Sequence, residues 1–137
     1  MTNSTPVKKR LEHAAHRAGS FSPVERACLW DMEERFWTSG ADSARASTAP
    51  DAVMIVPYPP GILQSDRIWS HLHHWTGWRS VVMAERRVTR RHELAILTYR
   101  VSAEKPAAAI FTALCASTYF HDDDSWLRLS HQQTAVA

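Results

Sequence analysis

The sequence predicts an α+β domain, with helices in its first half and an antiparallel strand meander in its second. Three observations carry this. A helix signal with both ends marked runs from Ser22 to Gly40, and two shorter helical segments follow it. From Trp78 onward the pattern is strand, turn, strand to the end of the chain. No repeat or break in composition divides the sequence, and 137 residues is an ordinary length for one domain with one sizeable core.

Residues 1–20 read as an N-terminal arm, in which Val7, Leu11, Ala14, Ala15 and Ala18 recur at the spacing of a short amphipathic helix. The domain proper is expected over 21–135. Ser22 stands at an N-cap position with Pro23 at N1 and Glu25 at N3, a capping box, and Gly40 ends the helix. At about 100° per residue, Leu29, Met32 and Phe36 share a face with Trp37 at its edge, while Asp31, Glu34 and Thr38 lie opposite. Asp42 can cap a second helix ending before Pro50. Asp51–Pro57 reads as a buried strand, Tyr58-Pro-Pro-Gly61 as a turn, and Ser65 or Asp66 as the cap of a third helix with Ile68, Trp69, Leu72 and Trp75 on one stripe. Four strands follow, at about 79–90, 93–103, 108–121 and 125–134, with turns near Arg91-His92, Lys105-Pro106 and Asp122-Asp123-Asp124.

Alternation along these strands sets the inward face. Ala95, Leu97, Tyr99 and Val101 point inward, and so do Leu127, Leu129, His131 and Gln133, which grade from apolar to polar as a strand does when it runs from core to pocket mouth. The strand near 110–120 is apolar on both sides, with Leu114 and Ala116 matching Phe111, Ala113 and Cys115. Both its faces need cover, and a second copy of the protein is the expected outer cover, giving a homodimer through the sheet.

Composition excludes several classes. A net charge of +2 exerts no general pull on nucleic acid or membrane. The run Arg86, Arg87, Arg90, Arg91 is split between two strand faces without interleaved aromatics, so no nucleic-acid surface is expected. Two cysteines make no disulfide framework, the N-terminal segment lacks an apolar signal core, and no stretch is long enough to span a bilayer; a cytoplasmic protein is expected. His71-x-His73-His74 lacks further ligands at metal spacing and reads as a solvated helix face, and Asp122–Asp124 as a hairpin turn, so neither a metal nor a cofactor is expected.

Glu33-x-x-Phe36-Trp37, Gly40-x-Asp42, Asp51-Ala-Val, Leu97-Thr-Tyr-Arg-Val101, Ser117-Thr-Tyr119, Trp126 and His131-Gln-Gln-Thr134 occur in that order. Over roughly residues 22–134 this resembles the nuclear transport factor 2-like superfamily, and within it the small bacterial domains near SnoaL-like polyketide cyclases and ketosteroid isomerases. The resemblance implies a cystatin-like cone, a bent and mostly antiparallel sheet wrapped around three helices with one internal pocket. It implies nothing definite about activity, because this fold hosts isomerases, cyclases, dehydratases and non-catalytic proteins. The isomerase's general base would stand at Val56, before Pro57. Its oxyanion-hole tyrosine falls at Glu33 or Glu34, and its second donor near Ser117. Valine moves no proton, so that shuttle lacks its base.

Glu33 breaks the helix pattern, falling between Leu29 and Trp37. A carboxylate there either faces a cavity, where a raised pKa makes it an acid or base near neutrality, or is satisfied by an arginine, the Tyr99 hydroxyl or a tryptophan N–H. His131 is its candidate catalytic partner, or a core histidine that orients it. Tyr99, Ser117 and Gln133 are candidate ligand-positioning groups, with Trp37 and Tyr58 as aromatic walls. The functional expectation is a pocket for a small hydrophobic molecule, with acid-base chemistry on a carbonyl or cyclic compound as one outcome. The other is a non-catalytic binding or dimerisation module.

Overall fold

The computed structural model describes residues 22–73 and 75–136; the arm expected over 1–20 lies outside the described residues. Helix α1 (Pro23–Thr38) starts as its sequence dictates. The Ser22 hydroxyl accepts from the Glu25 amide at 3.0 Å, and the Glu25 carboxylate reaches back to the Ser22 amide at 3.5 Å. Ser39 ends the helix, and Gly40 leaves it at φ +86°, a conformation open to a residue without Cβ. Helix α2 (Ala41–Ala46) and helix α3 (Asp66–Leu72) complete the helical set among the described residues.

Six strands form one sheet: β1 (Thr48–Ile55), β2 (Ile62–Gln64), β3 (Ser80–Arg91), β4 (Leu94–Glu104), β5 (Phe111–Asp122) and β6 (Ser125–Ala135). Their order is β2-β1-β6-β5-β4-β3, antiparallel throughout except for the parallel pair of β1 with β6. The four-strand meander and the three helices follow the expected order. Strand β1 begins earlier than expected and contains Pro50, which cannot donate to a ladder. The register explains how it is accommodated: Thr48 pairs with Arg128 and Val53 with Ser130, so Pro50 lies in an irregular stretch between two regular pairings. The short β2 has no alternation long enough to be read, and it was not expected.

Register places three rungs of side chains across β4, β5 and β6: Ala95–Tyr119–Arg128, Leu97–Ser117–His131 and Tyr99–Cys115–Gln133. Rung members on β4 and β5 are two residues apart and so share one face. On β6 the steps are three and two, because Leu129 is an extra residue opposite Thr118 and Tyr119. That β-bulge reverses the facing of everything before it. The expectation that Leu127 and Leu129 point inward is therefore corrected. Both are only half-buried, while Trp126 and Arg128 are buried; His131 is inward as expected. On β4 all of Ala95, Leu97, Tyr99 and Val101 are buried, matching the alternation.

Helix α1 lies against this concave face. Its buried residues are Leu29, Trp30, Glu33, Phe36 and Trp37, an arc of roughly 120° with Glu33 at its middle. Trp30 turns the buried face away from Met32, its ring meeting Tyr99 edge-on at 5.7 Å between centroids.

Candidate functional site

Two features occupy the space between α1 and the sheet. The first is a cavity of about 250 Å3 at the C-terminal end of α1. Phe36, Trp37, Trp75 and Trp78 supply aromatic walls, Met54, Val56 and Leu63 an aliphatic one, and Pro57, Pro59 and Pro60 a rim. Its polar groups are His71, Lys105 and Gln133. The segment between α3 and β3 is tied to α1 and to the start of α2 by one backbone bond each. The Trp78 amide donates to the Trp37 carbonyl at 2.7 Å, and the Ala41 amide to the Trp75 carbonyl at 3.0 Å. Trp78 is braced from behind by Phe111, stacked at 5.7 Å and 17°.

The second feature is a polar network centred on Glu33, a carboxylate with no solvent exposure. One oxygen, Oε2, accepts from the Ser117 hydroxyl at 2.5 Å and from the Tyr99 hydroxyl. The other, Oε1, accepts from the Tyr119 hydroxyl at 2.6 Å and from Arg128 Nη2 at 3.4 Å. Arg128 is fully buried as well. Its Nη1 donates to Ser47 and Thr48, and its Nη2 to Tyr119. Its guanidinium lies 4.1 Å from the Phe36 ring centroid, and its Nε is the one buried side-chain nitrogen or oxygen without a partner among the described residues. All three rungs thus serve one carboxylate: Tyr119 and Arg128 from the first, Ser117 and His131 from the second, Tyr99 from the third.

The electrostatics follow from this crowding. Burial by itself raises the Glu33 pKa, but the hydrogen bond with His131, the Arg128 charge and the Ser117 hydroxyl together hold it far below the usual carboxylate range. Burial pushes His131 down, against the pull of Glu33 and with the help of Arg128. Tyr99 and Tyr119 are raised well above their ordinary value by burial, with Glu33 adding to both and Arg128 opposing it at Tyr119. Glu33 is therefore ionised, the tyrosines are neutral donors, and His131 is neutral. The geometry agrees. His131 Nδ1 lies 2.7 Å from Ser117 Oγ and 3.4 Å from Glu33 Oε2, while Nε2 lies 3.0 Å from Gln133 Nε2. With Gln133 donating, the imidazole proton sits on Nδ1 and points into the network.

Two contacts join network to cavity. Trp37 lines the cavity with its ring and donates its Nε1–H to the Tyr99 hydroxyl at 2.9 Å. Gln133 lines the cavity and donates to His131. Of the residues expected to form the pocket, Trp37 and Gln133 stand on the cavity. Tyr99 and Ser117 lie behind it with Glu33 and His131. Tyr58 is 88% exposed and does not line the cavity, because the neighbouring prolines turn inward in its place. Val56, the position matching the isomerase base, is in the cavity wall, and His71, expected on a solvated helix face, is at the rim.

Sequence reasoning missed Arg128, Tyr119, Trp75, Trp78 and Lys105. For Arg128 a signal existed. It shares strand parity with Trp126, and a tryptophan on an otherwise polar face marks that face as covered.

No family model matches the sequence, and no curated protein does. Solved structures do match in shape. One is a candidate ketosteroid isomerase from Parabacteroides distasonis, 12% identical over 79% of this chain and 85% of that one, with a TM-score of 0.70. A second is an NTF2-like protein from Cytophaga hutchinsonii, 13% identical over 82% and 98%, with a TM-score of 0.67. The chain has the nuclear transport factor 2-like fold. The same fold is seen in the CaMKII hub homology domain from Chlamydomonas reinhardtii, 13% identical over 85% of this chain and 100% of that one, with a TM-score of 0.66. At such identities the nuclear transport factor 2-like likeness is one of architecture, and chemistry must be argued from the site. No helix among the described residues is long and apolar enough to cross a membrane.

Proposed function

We propose that the protein binds a small, largely apolar molecule in the tryptophan-walled cavity, and that Glu33 and His131 are positioning residues rather than a proton-transferring pair. What supports this most is the double role of Trp37, whose ring faces the cavity while its N–H is anchored through Tyr99 to Glu33. An ionised carboxylate with four donors around it has no lone pair to offer a substrate, and Trp37 stands between it and the cavity. It fixes the wall instead, as supporting hydrogen bonds do in a preorganised site. Gln133 is held in the same way through His131.

The test is a calorimetric and thermal-shift screen of small cyclic compounds against wild type and Val56→Trp, which fills the cavity from its wall. Compounds that raise the melting temperature of wild type and lose binding in the variant meet the expectation. A turnover that Glu33→Gln abolishes while the fold stays intact would overturn it in favour of acid-base catalysis.

A second reading, association, is favoured by the outer sheet face. Ile96 and Leu114 are 43% and 46% exposed there, on neighbouring strands and flanked by Leu94, and several structures of like fold are hub or association domains. We infer a homodimer through this face. Light scattering at micromolar concentration should give twice the monomer mass, reverting to monomer in Ile96→Lys/Leu114→Lys; a monomeric wild type sinks it.

A further inference from the structure

We propose that the cavity selects a small planar monoanion, a cyclic carboxylate whose ring packs among the tryptophans and whose charge meets Lys105. This rests on the reading of the cavity as a ligand site and names the class of molecule it takes.

Charge supplies the first argument. Among the described lining residues there is no aspartate or glutamate, and Lys105 is the one permanently charged side chain. Its ammonium sits 4.4 Å from the Trp78 ring centroid and has no ion pair among the described residues. A half-buried lysine held over an aromatic wall, with the network's negative charge already neutralised by Arg128, leaves the cavity electropositive. A neutral ligand would leave that charge unanswered, and a cation would be repelled by it.

Size and shape supply the second. A cavity of roughly 150 Å3 takes up benzene, so about 250 Å3 has room for one or two fused rings and a carboxylate. Phe36, Trp37, Trp75 and Trp78 line the cavity, and aromatic walls reward flat ligands by stacking and edge contacts. Gln133 gives its N–H to His131, and its Oε1 remains as the amide's acceptor for a ring N–H or hydroxyl. An aromatic acid with such a donor satisfies all three features.

The probes are indole-3-carboxylate and its neutral isostere indole-3-carboxamide, titrated by calorimetry at pH 7.5 into wild type and Lys105→Met. Methionine keeps an apolar stem over Trp78 and removes only the charge. In wild type the acid should bind about tenfold tighter than the amide, the size of one charge-assisted contact. That preference should fall toward unity in Lys105→Met and shrink as salt is raised. Lys105→Gln, with circular dichroism as the check on folding, provides a second variant. Equal binding of acid and amide by wild type, or an acid preference unchanged in both variants, overturns the charge assignment and leaves the cavity as a ligand site. Binding of neither probe, together with no hit in the screen against Val56→Trp, overturns both.

Discussion

Arg128 Nη2 stands 3.4 Å from Glu33 Oε1, with neither side chain exposed to solvent. A buried ion pair of this kind is weak evidence for net stability, because desolvating both partners costs about as much as their attraction returns. It is strong evidence for a defined arrangement. Ser117, Tyr99 and Tyr119 have hydroxyls that must be satisfied in the interior, and they are satisfied in one way, around one carboxylate.

Removing either charge alone should therefore be severe. Glu33→Gln leaves the Arg128 guanidinium buried without a counter-charge and should lower stability by about 3–5 kcal/mol. The double variant Glu33→Gln/Arg128→Met should be more stable than the single one. Urea denaturation midpoints read both. Additive losses in the double variant would mean that the two groups do not act as a pair.

Stability should fall on acidification in two stages. His131 has a folded pKa below its ordinary 6.5. The unfolded chain takes up that proton first, and the His131 contribution is lost as pH falls from 6.5 toward the depressed value. Glu33 is depressed from 4.5, so its contribution is complete above 4.5 and is lost below it. Both signs agree: the unfolded state binds more protons in each window. Thermal midpoints across pH 3–8 should show the upper stage vanish in His131→Gln while the lower one persists. A midpoint that rises on acidification below pH 6 contradicts the scheme.

Burial, with Glu33 nearby, pushes the Cys115 thiol up to about 12, whereas Cys28 is exposed. Only a thiolate alkylates readily, so iodoacetamide at pH 8 should modify Cys28 alone in the native protein and both residues in urea. Peptide mapping by mass spectrometry distinguishes them. Native alkylation of Cys115 would show that β5 opens under those conditions.

What could be read from the sequence was whatever lies in local chemistry. The capping box at Ser22, Pro23 and Glu25 is a short-range pattern, and it gave the start of α1 to the residue. Alternation gave the inward face of β4 because Ala95 to Val101 is regular. It failed on β6 because Leu129 is an extra residue whose existence depends on what β5 places opposite. That one insertion hid Arg128, and with it the answer to the question Glu33 raised. Glu33 itself was visible as a break in the helix pattern. Its partners come from three strands more than sixty residues away, and their registration is a property of the whole sheet. Trp75 was expected to end the third helix's apolar stripe, but that helix stops at Leu72, so Trp75 and Trp78 stand in the connecting segment after it.

That connecting segment depends on Gly77. It sits at φ +90°, and a Cβ there would come within 2.6 Å of the Thr38 carbonyl carbon and oxygen, at the end of α1. Any side chain would meet both an unfavourable backbone region and rigid backbone atoms, so the segment must lift away from α1. The bonds from Trp78 to Trp37 and from Ala41 to Trp75 would lengthen with it, and two walls of the cavity would move outward. Gly77→Ala should lower stability by about 1–3 kcal/mol and weaken every ligand of the cavity, charged or neutral, by a similar factor. That uniform loss separates it from Lys105→Met, which should affect anions alone. Parallel titrations of both variants read the difference, and a Gly77→Ala protein with wild-type melting temperature and affinities would show that the close approach to Thr38 holds nothing in place.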